Sequence, residues 1–169
     1  MVSLPSVERL NELFEYRDGC LYWKKSSSPL SRIKVGDKAG TSGSGGYWRI
    51  RVDGVMYQAH RLIYAMHNNG SCPDYIDHVN GNKVDNRIKN LRTATAAQNA
   101  HNAKLHKTST TGIKNVSWSA LKNRWKILIS VGGKRKSWYV EDLELAELVA
   151  IEARNKFHGL FANHGLKGV

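Results

Sequence analysis

Tyr75-Ile-Asp-His-Val-Asn-Gly-Asn-Lys83, then Asp85-Asn-Arg-Ile-Lys-Asn-Leu-Arg92, then Gln98-Asn99, is the stretch that decides how this chain is read. Asp77 and His78 are adjacent, Asn90 follows the histidine by twelve residues, and Asn99 follows by nine more. A carboxylate and an amide oxygen are hard ligands that suit Mg²⁺ or Mn²⁺. An imidazole can take a proton from water near neutral pH. These groups are enough for a one-metal phosphodiesterase, in which the ion steadies charge on the leaving oxygen. The pair follows Ile76 and precedes Asn80-Gly81, so a strand end entering a turn is expected there. Neighbours in a regular strand point to opposite faces, so a bulge or the strand end would have to bring the two together. Asn99 would reach the metal from the following helix. Asn90 could tie the intervening loop to the backbone around His78.

Working outward, residues 4–16 place Val7, Leu10, Leu13 and Phe14 at helical spacing, with Ser6 as the N-cap. Cys20 to Lys24 reads as a short strand after Asp18-Gly19, and residues 25–46, rich in Ser, Gly and Lys, as a surface loop. Tyr47–Val52 and Val55–Ala59 form two strands joined by Asp53-Gly54, a hairpin signal. A helix is expected from His60 to His67 and another from Arg92 to about Lys104, the latter carrying Asn99. Residues 105–111 are polar and aperiodic, the expected linker between a domain at 1–104 and one at 112–169.

Length and charge narrow the partners. The chain has 169 residues, 26 Lys plus Arg against 14 Asp plus Glu, and a net charge of +12, which favours a polyanion. Two cysteines, Cys20 and Cys72, cannot build a four-cysteine zinc framework. There is no signal-peptide pattern at the start and no apolar run of the ~18 residues a membrane span needs. No membrane association and a cytoplasmic setting with free thiols are expected.

The last part follows a different plan. Ile113–Trp118, Arg124–Val131 and Arg135–Val140 read as three strands, with Gly132-Gly133 as a turn. Leu143–Phe157 reads as an amphipathic helix with Asp142 near its N-cap. From Gly112 to Tyr139 there are seven Lys or Arg and no acid, whereas all five acids after residue 110 fall between Glu141 and Glu152. A positive sheet with one open face can enter a major groove.

The run from His60-Arg-Leu through Ile76-Asp-His-x-Asn-Gly-Asn to Asp85-Asn-Arg-Ile-x-Asn-Leu-Arg resembles the HNH nucleases of phage and homing type, over roughly residues 10–104. The resemblance implies a β-hairpin and a helix gripping one divalent ion. It assigns Asp77 and Asn99 as metal ligands, His78 as general base and Asn90 as the residue that fixes the loop. Many relatives have a histidine where this chain has Asn99, with His101 and His106 nearby as spare ligands. His60 is expected to support the core and Arg61 to contact phosphate.

Gly112-Ile-Lys-Asn-Val-Ser-Trp118, Asn123-Arg-Trp-Lys-Ile-x-Ile129, and Glu144 through Ala153 to His158-Gly159 resemble the ethylene-response-factor (Apetala-type) DNA-binding domain. That resemblance implies a sheet in the major groove, with Lys114, Trp118, Arg124, Lys126, Ser130 and Arg135 as contacts. The expected protein is therefore α+β: a ββα-metal nuclease domain, then a three-stranded antiparallel sheet packed on one helix. It would be a homing-type nickase or double-strand cutter acting on double-stranded DNA with one Mg²⁺ or Mn²⁺, as a monomer or weak dimer. The alternative is a DNA-binding regulator whose nuclease site has decayed.

Overall fold

A computed structural model describes residues 3–25, 32–103, 105 and 109–165. It is a mixed α/β chain of small antiparallel sheets and a few helices, and it divides into two compact units, 1–94 and 95–169. The division falls between Ala94 and Thr95, ahead of the expected linker at 105–111, of which only part lies among the described residues.

In the first unit, helix α1 (Val7–Leu13) is capped by Ser6, whose hydroxyl accepts from the Arg9 amide at 3.2 Å, and it buries Leu10 and Leu13. The helix stops earlier than its apolar spacing suggests. Phe14–Arg17 (β1) is drawn out to pair with β2 (Cys20–Trp23), where Phe14 and Trp23 pack with ring centroids 4.6 Å apart. The hairpin turn has positive φ at both Asp18 and Gly19, 42° and 84°, the geometry that matches the right-handed twist of strands.

The stretch expected to be loop also contributes to the fold. Ala39 is fully buried, and Thr41–Ser42 (β3) pairs with β4 (Trp48–Val52), which pairs with β5 (Val55–Gln58). Helix α2 (Ala59–His67) follows and buries Leu62 and Ile63. Its Arg61 guanidinium donates to the carbonyls of Pro73 and Asp74, both at 3.0 Å, and so ties down the approach to β6 (Tyr75–His78). β6 pairs antiparallel with β7 (Leu91–Ala94). A helix beginning at Arg92 is therefore not formed: this segment satisfies its backbone in the ladder, and the helix starts later.

The second unit opens with that helix, α3 (Ala96–His101). Thr95 and Gln98 form a reciprocal capping box at its start. Strands β8 (Val116–Ser119), β9 (Arg124–Val131) and β10 (Lys134–Val140) form an antiparallel sheet in the order β10-β9-β8. Helix α4 (Leu143–His158) begins at Asp142, whose carboxylate accepts from Leu145 N at 2.8 Å. Its small residues Ala146, Ala150 and Ala153 pack with Val116, Ile127 and Ile129 to make the core. No described helix is long and apolar enough to cross a membrane.

Candidate functional site

Asp77 and His78 occupy the last two positions of β6. The ladder is continuous, with Asp77 opposite Arg92 and His78 opposite Leu91, so no bulge intervenes and the two side chains leave opposite sides of the ribbon. Both are almost fully buried, at 4% and 5% exposure. Asp77 Oδ2 accepts from Arg92, Nε at 2.8 Å and Nη2 at 2.7 Å. On the other side, His78 Nε2 lies 3.0 Å from Asn86 Oδ1. The His60 ring packs on the His78 ring at 5.1 Å and 75°, and Tyr47 lies 5.4 Å from His60 and 6.3 Å from His78. Burial holds the His60 imidazole far below its ordinary value of 6.5, down to about 3, with the charges of His78 and Arg61 adding to the shift. His60 is thus a neutral wall for His78 across the neutral range.

The loop between the strands is a dense amide network. Asn90 O accepts from Val79 N at 2.9 Å, and Asn90 Oδ1 from Asn80 N at 3.0 Å. Its Nδ2 donates to Asn80 Oδ1 at 3.0 Å and to the Asp85 carbonyl at 2.7 Å. Asn80 Nδ2 donates to Asp85, whose carboxyl is held well below the usual range chiefly by the Arg87 guanidinium. Each buried amide has its partners, so the loop leaving His78 has little freedom to repack.

Asn99 lies on α3, in the second unit. Within that unit His101, one of the spare ligands, stacks face to face on His158 at 3.7 Å and 6°. The other, His106, lies outside the described residues. Among the described residues no group of three or more His, Cys, Asp or Glu could hold a metal ion.

The sheet register sorts the expected DNA contacts. Directly paired residues share a face, so Ser117, Arg124, Lys126, Ser130, Arg135 and Tyr139 lie on the side away from α4. Trp118 pairs with Trp125 in the phase of Val116 and Ile127, on the helix side, where it meets Trp125 edge-on at 4.9 Å although it is 47% exposed. Lys114 precedes the sheet and donates to the carbonyls of His101 and Ala103. Burial, with Arg154 adding, lowers its ammonium to about 8. Lys134 and Lys136 also fall in the helix-side phase, and Lys136 lies over the Phe157 ring at 4.8 Å. The open face thus carries fewer cations than the sequence count suggests. Two residues near His78 carry no signal in the sequence: Asn86 and Tyr47. Asn86 sits inside the quoted Asp85-Asn-Arg run, but its spacing alone does not show that it meets His78.

The family model for HNH endonucleases matches residues 57–101, which hold α2, β6, β7 and α3. The chain is 37% identical over 98 residues to Protein 3.8 of Escherichia phage T7, covering 56% of this chain and 79% of that protein. It is 36% identical over 77 residues to the uncharacterized HNH endonuclease L560 of Acanthamoeba polyphaga mimivirus, covering 44% of this chain and 40% of that one. The chain belongs to the HNH endonuclease family. The relatives it matches come from a phage and a mimivirus. No solved structure matches.

Proposed function

We propose that this chain is a metal-dependent HNH endonuclease that hydrolyses phosphodiester bonds in duplex DNA, of homing type, with residues 1–104 cutting and residues 112–169 docking. The observation that carries the reading is the buried His78 ring, fixed at the end of β6 beside Asp77 within the matched HNH segment. In this reading His78 takes the proton of the attacking water, and Asn90 holds the loop that leaves it.

The donor types fit a hard divalent ion such as Mg²⁺ or Mn²⁺. They are the Asp77 carboxylate and the Asn99 amide oxygen, completed by phosphate and water oxygens. Arg92 donates to Oδ2 of Asp77, and a carboxylate offers several lone pairs. The ion would supply charge stabilisation at the leaving oxygen. Arg124, Lys126, Ser130 and Arg135 would meet DNA from one face of the sheet. Of the other residues expected to touch DNA, Lys114 and Trp118 act as supports, and Arg61 as the staple that seats β6.

Relaxation of supercoiled plasmid by wild type and His78→Ala, each with EDTA, Mg²⁺ and Mn²⁺, tests this. Metal-dependent cutting that vanishes in the variant is expected. The ratio of open circle to linear product separates nicking from double-strand cleavage. Tight binding with no cleavage by wild type in any metal would sink the proposal.

A further inference from the structure

His78 has two ring nitrogens, and only one can accept a proton from water. Nε2 lies 3.0 Å from Oδ1 of Asn86, and both residues are buried. An amide oxygen only accepts, so Nε2 carries hydrogen, and in the neutral ring Nδ1 then holds the lone pair. We infer that Asn86 is a positioning residue that selects Nδ1 of His78 as the proton-accepting atom, and that the β1–β2 turn supports Asn86 from behind. The inference rests on His78 being the base.

Asn86 is held from two directions. On the loop side, the carbonyl of Asp85 accepts from Asn90 Nδ2 at 2.7 Å, and the Asp85 carboxylate accepts from Asn80 and Arg87. On the outer side, the turn at Gly19 presses against the Asn86–Arg87 peptide. A Cβ at Gly19 would stand 2.7 Å from Arg87 N and 3.1 Å from Asn86 C, and φ there is +84°. The Tyr16 hydroxyl, on β1 of the same hairpin, accepts from Ile88 N at 3.2 Å. Meanwhile His60 and Tyr47 close around the His78 ring. A ring so enclosed keeps one tautomer only while its acceptor stays in place.

The test uses full-length protein labelled with ¹⁵N at histidine, with the His78 ring signals assigned by their absence in His78→Ala. Wild type should show hydrogen on Nε2. Asn86→Leu, of similar shape without an acceptor, should give a tautomer mixture, and Asn86→Asp should restore the single form. Single-turnover cleavage should fall by about 10- to 100-fold in Asn86→Leu at unchanged DNA affinity, the usual effect of losing a ring's orienting partner. Most of that loss should return in Asn86→Asp. Gly19→Ala should slow cleavage in the same direction, again without loss of affinity.

Hydrogen on Nδ1 of wild-type His78 overturns the inference, and this spectrum decides even if Asn86→Leu does not fold. So does wild-type cleavage by Asn86→Leu when His78→Ala is dead. Cleavage by His78→Ala at the wild-type rate overturns the reading of the base itself, a separate and recognisable failure.

Discussion

The end of β6 and the open face of the β8–β10 sheet treat polar groups in opposite ways. Around His78 the polar side chains are buried or half-buried, and each has a fixed partner: Asn86 accepts from the ring, Asn90 bonds the loop, and Arg92 donates to Asp77. On the sheet the cations are exposed or half-buried, and among the described residues their ion pairs are few. Arg124 with Glu141 at 2.9 Å is one, and both side chains lie in solvent where such a pair contributes little. A chemical step needs groups fixed in advance within a dry setting. A docking face needs charge that can move to meet phosphates. The proposed division of labour follows that contrast.

The sharpest way to break it is to damage each half and ask which quantity moves. His78→Ala should lower the single-turnover rate by about 10³-fold, within the range for a lost general base, and leave DNA affinity within a factor of two or so. Arg124→Ala, Lys126→Ala and Arg135→Ala combined should do the reverse. Affinity should drop, and the slope of log affinity against log salt should lessen by about one for each phosphate no longer neutralised. The rate at saturating DNA should hold. Filter binding across a salt series, read beside single-turnover cleavage, checks both. A sheet variant that lost rate but not affinity would show that the two halves are not separate in role.

Asn90→Ala bears on why the first region must be rigid. The change removes three side-chain hydrogen bonds and strands the Asn80 amide and the Asp85 carbonyl. A destabilisation of about 1–3 kcal/mol is expected from the unsatisfied groups. It should appear as a lower urea midpoint with the same slope. An unchanged midpoint would mean that water replaces the amide at no cost, and that the loop is not held by this residue.

Much of this contrast is legible in the sequence, and the parts that are not share a cause. Asp-Gly and Gly-Gly announce their hairpins because positive φ at two successive positions is a local demand. Asp142 announces α4 because a side chain that accepts from the first-turn amide of Leu145 is also a local demand. Local spacing misleads where a partner strand intervenes. Phe14 and Arg92 look helical by spacing, yet β2 and β6 claim their backbones. The Asp77-His78 pair can be read as candidate chemistry, but its division across two sides of the ribbon depends on register. The side on which Trp118 lies depends on register too, through its pairing with Trp125. Asn86 and Tyr47 are close to His78 only through folding, and no periodicity marks them.

The smallest expected effect concerns the wall behind the base. His60 titrates near 6.5 when exposed, whereas burial first, then the charges of His78 and Arg61, lowers it to about 3 in the fold. Between those values the unfolded chain binds a proton that the native one refuses. Stability from a neutral buried His60 is therefore complete above pH 6.5 and is lost as pH falls toward about 3. The slope from one such proton is about 1.4 kcal/mol per pH unit. The carboxylates lowered by their cation partners, Glu12, Glu15 and Asp53, lose their contribution only below their ordinary values of 4.5 and 3.8, a separate window. Urea unfolding of wild type and His60→Phe from pH 7 to pH 5 isolates the effect, since phenylalanine fills a similar volume and does not titrate. The variant should show a flatter fall, and the two curves should converge toward acid. Parallel curves would mean that the His60 proton is accepted in the native state, and that the wall is not the dry, neutral surface its burial implies.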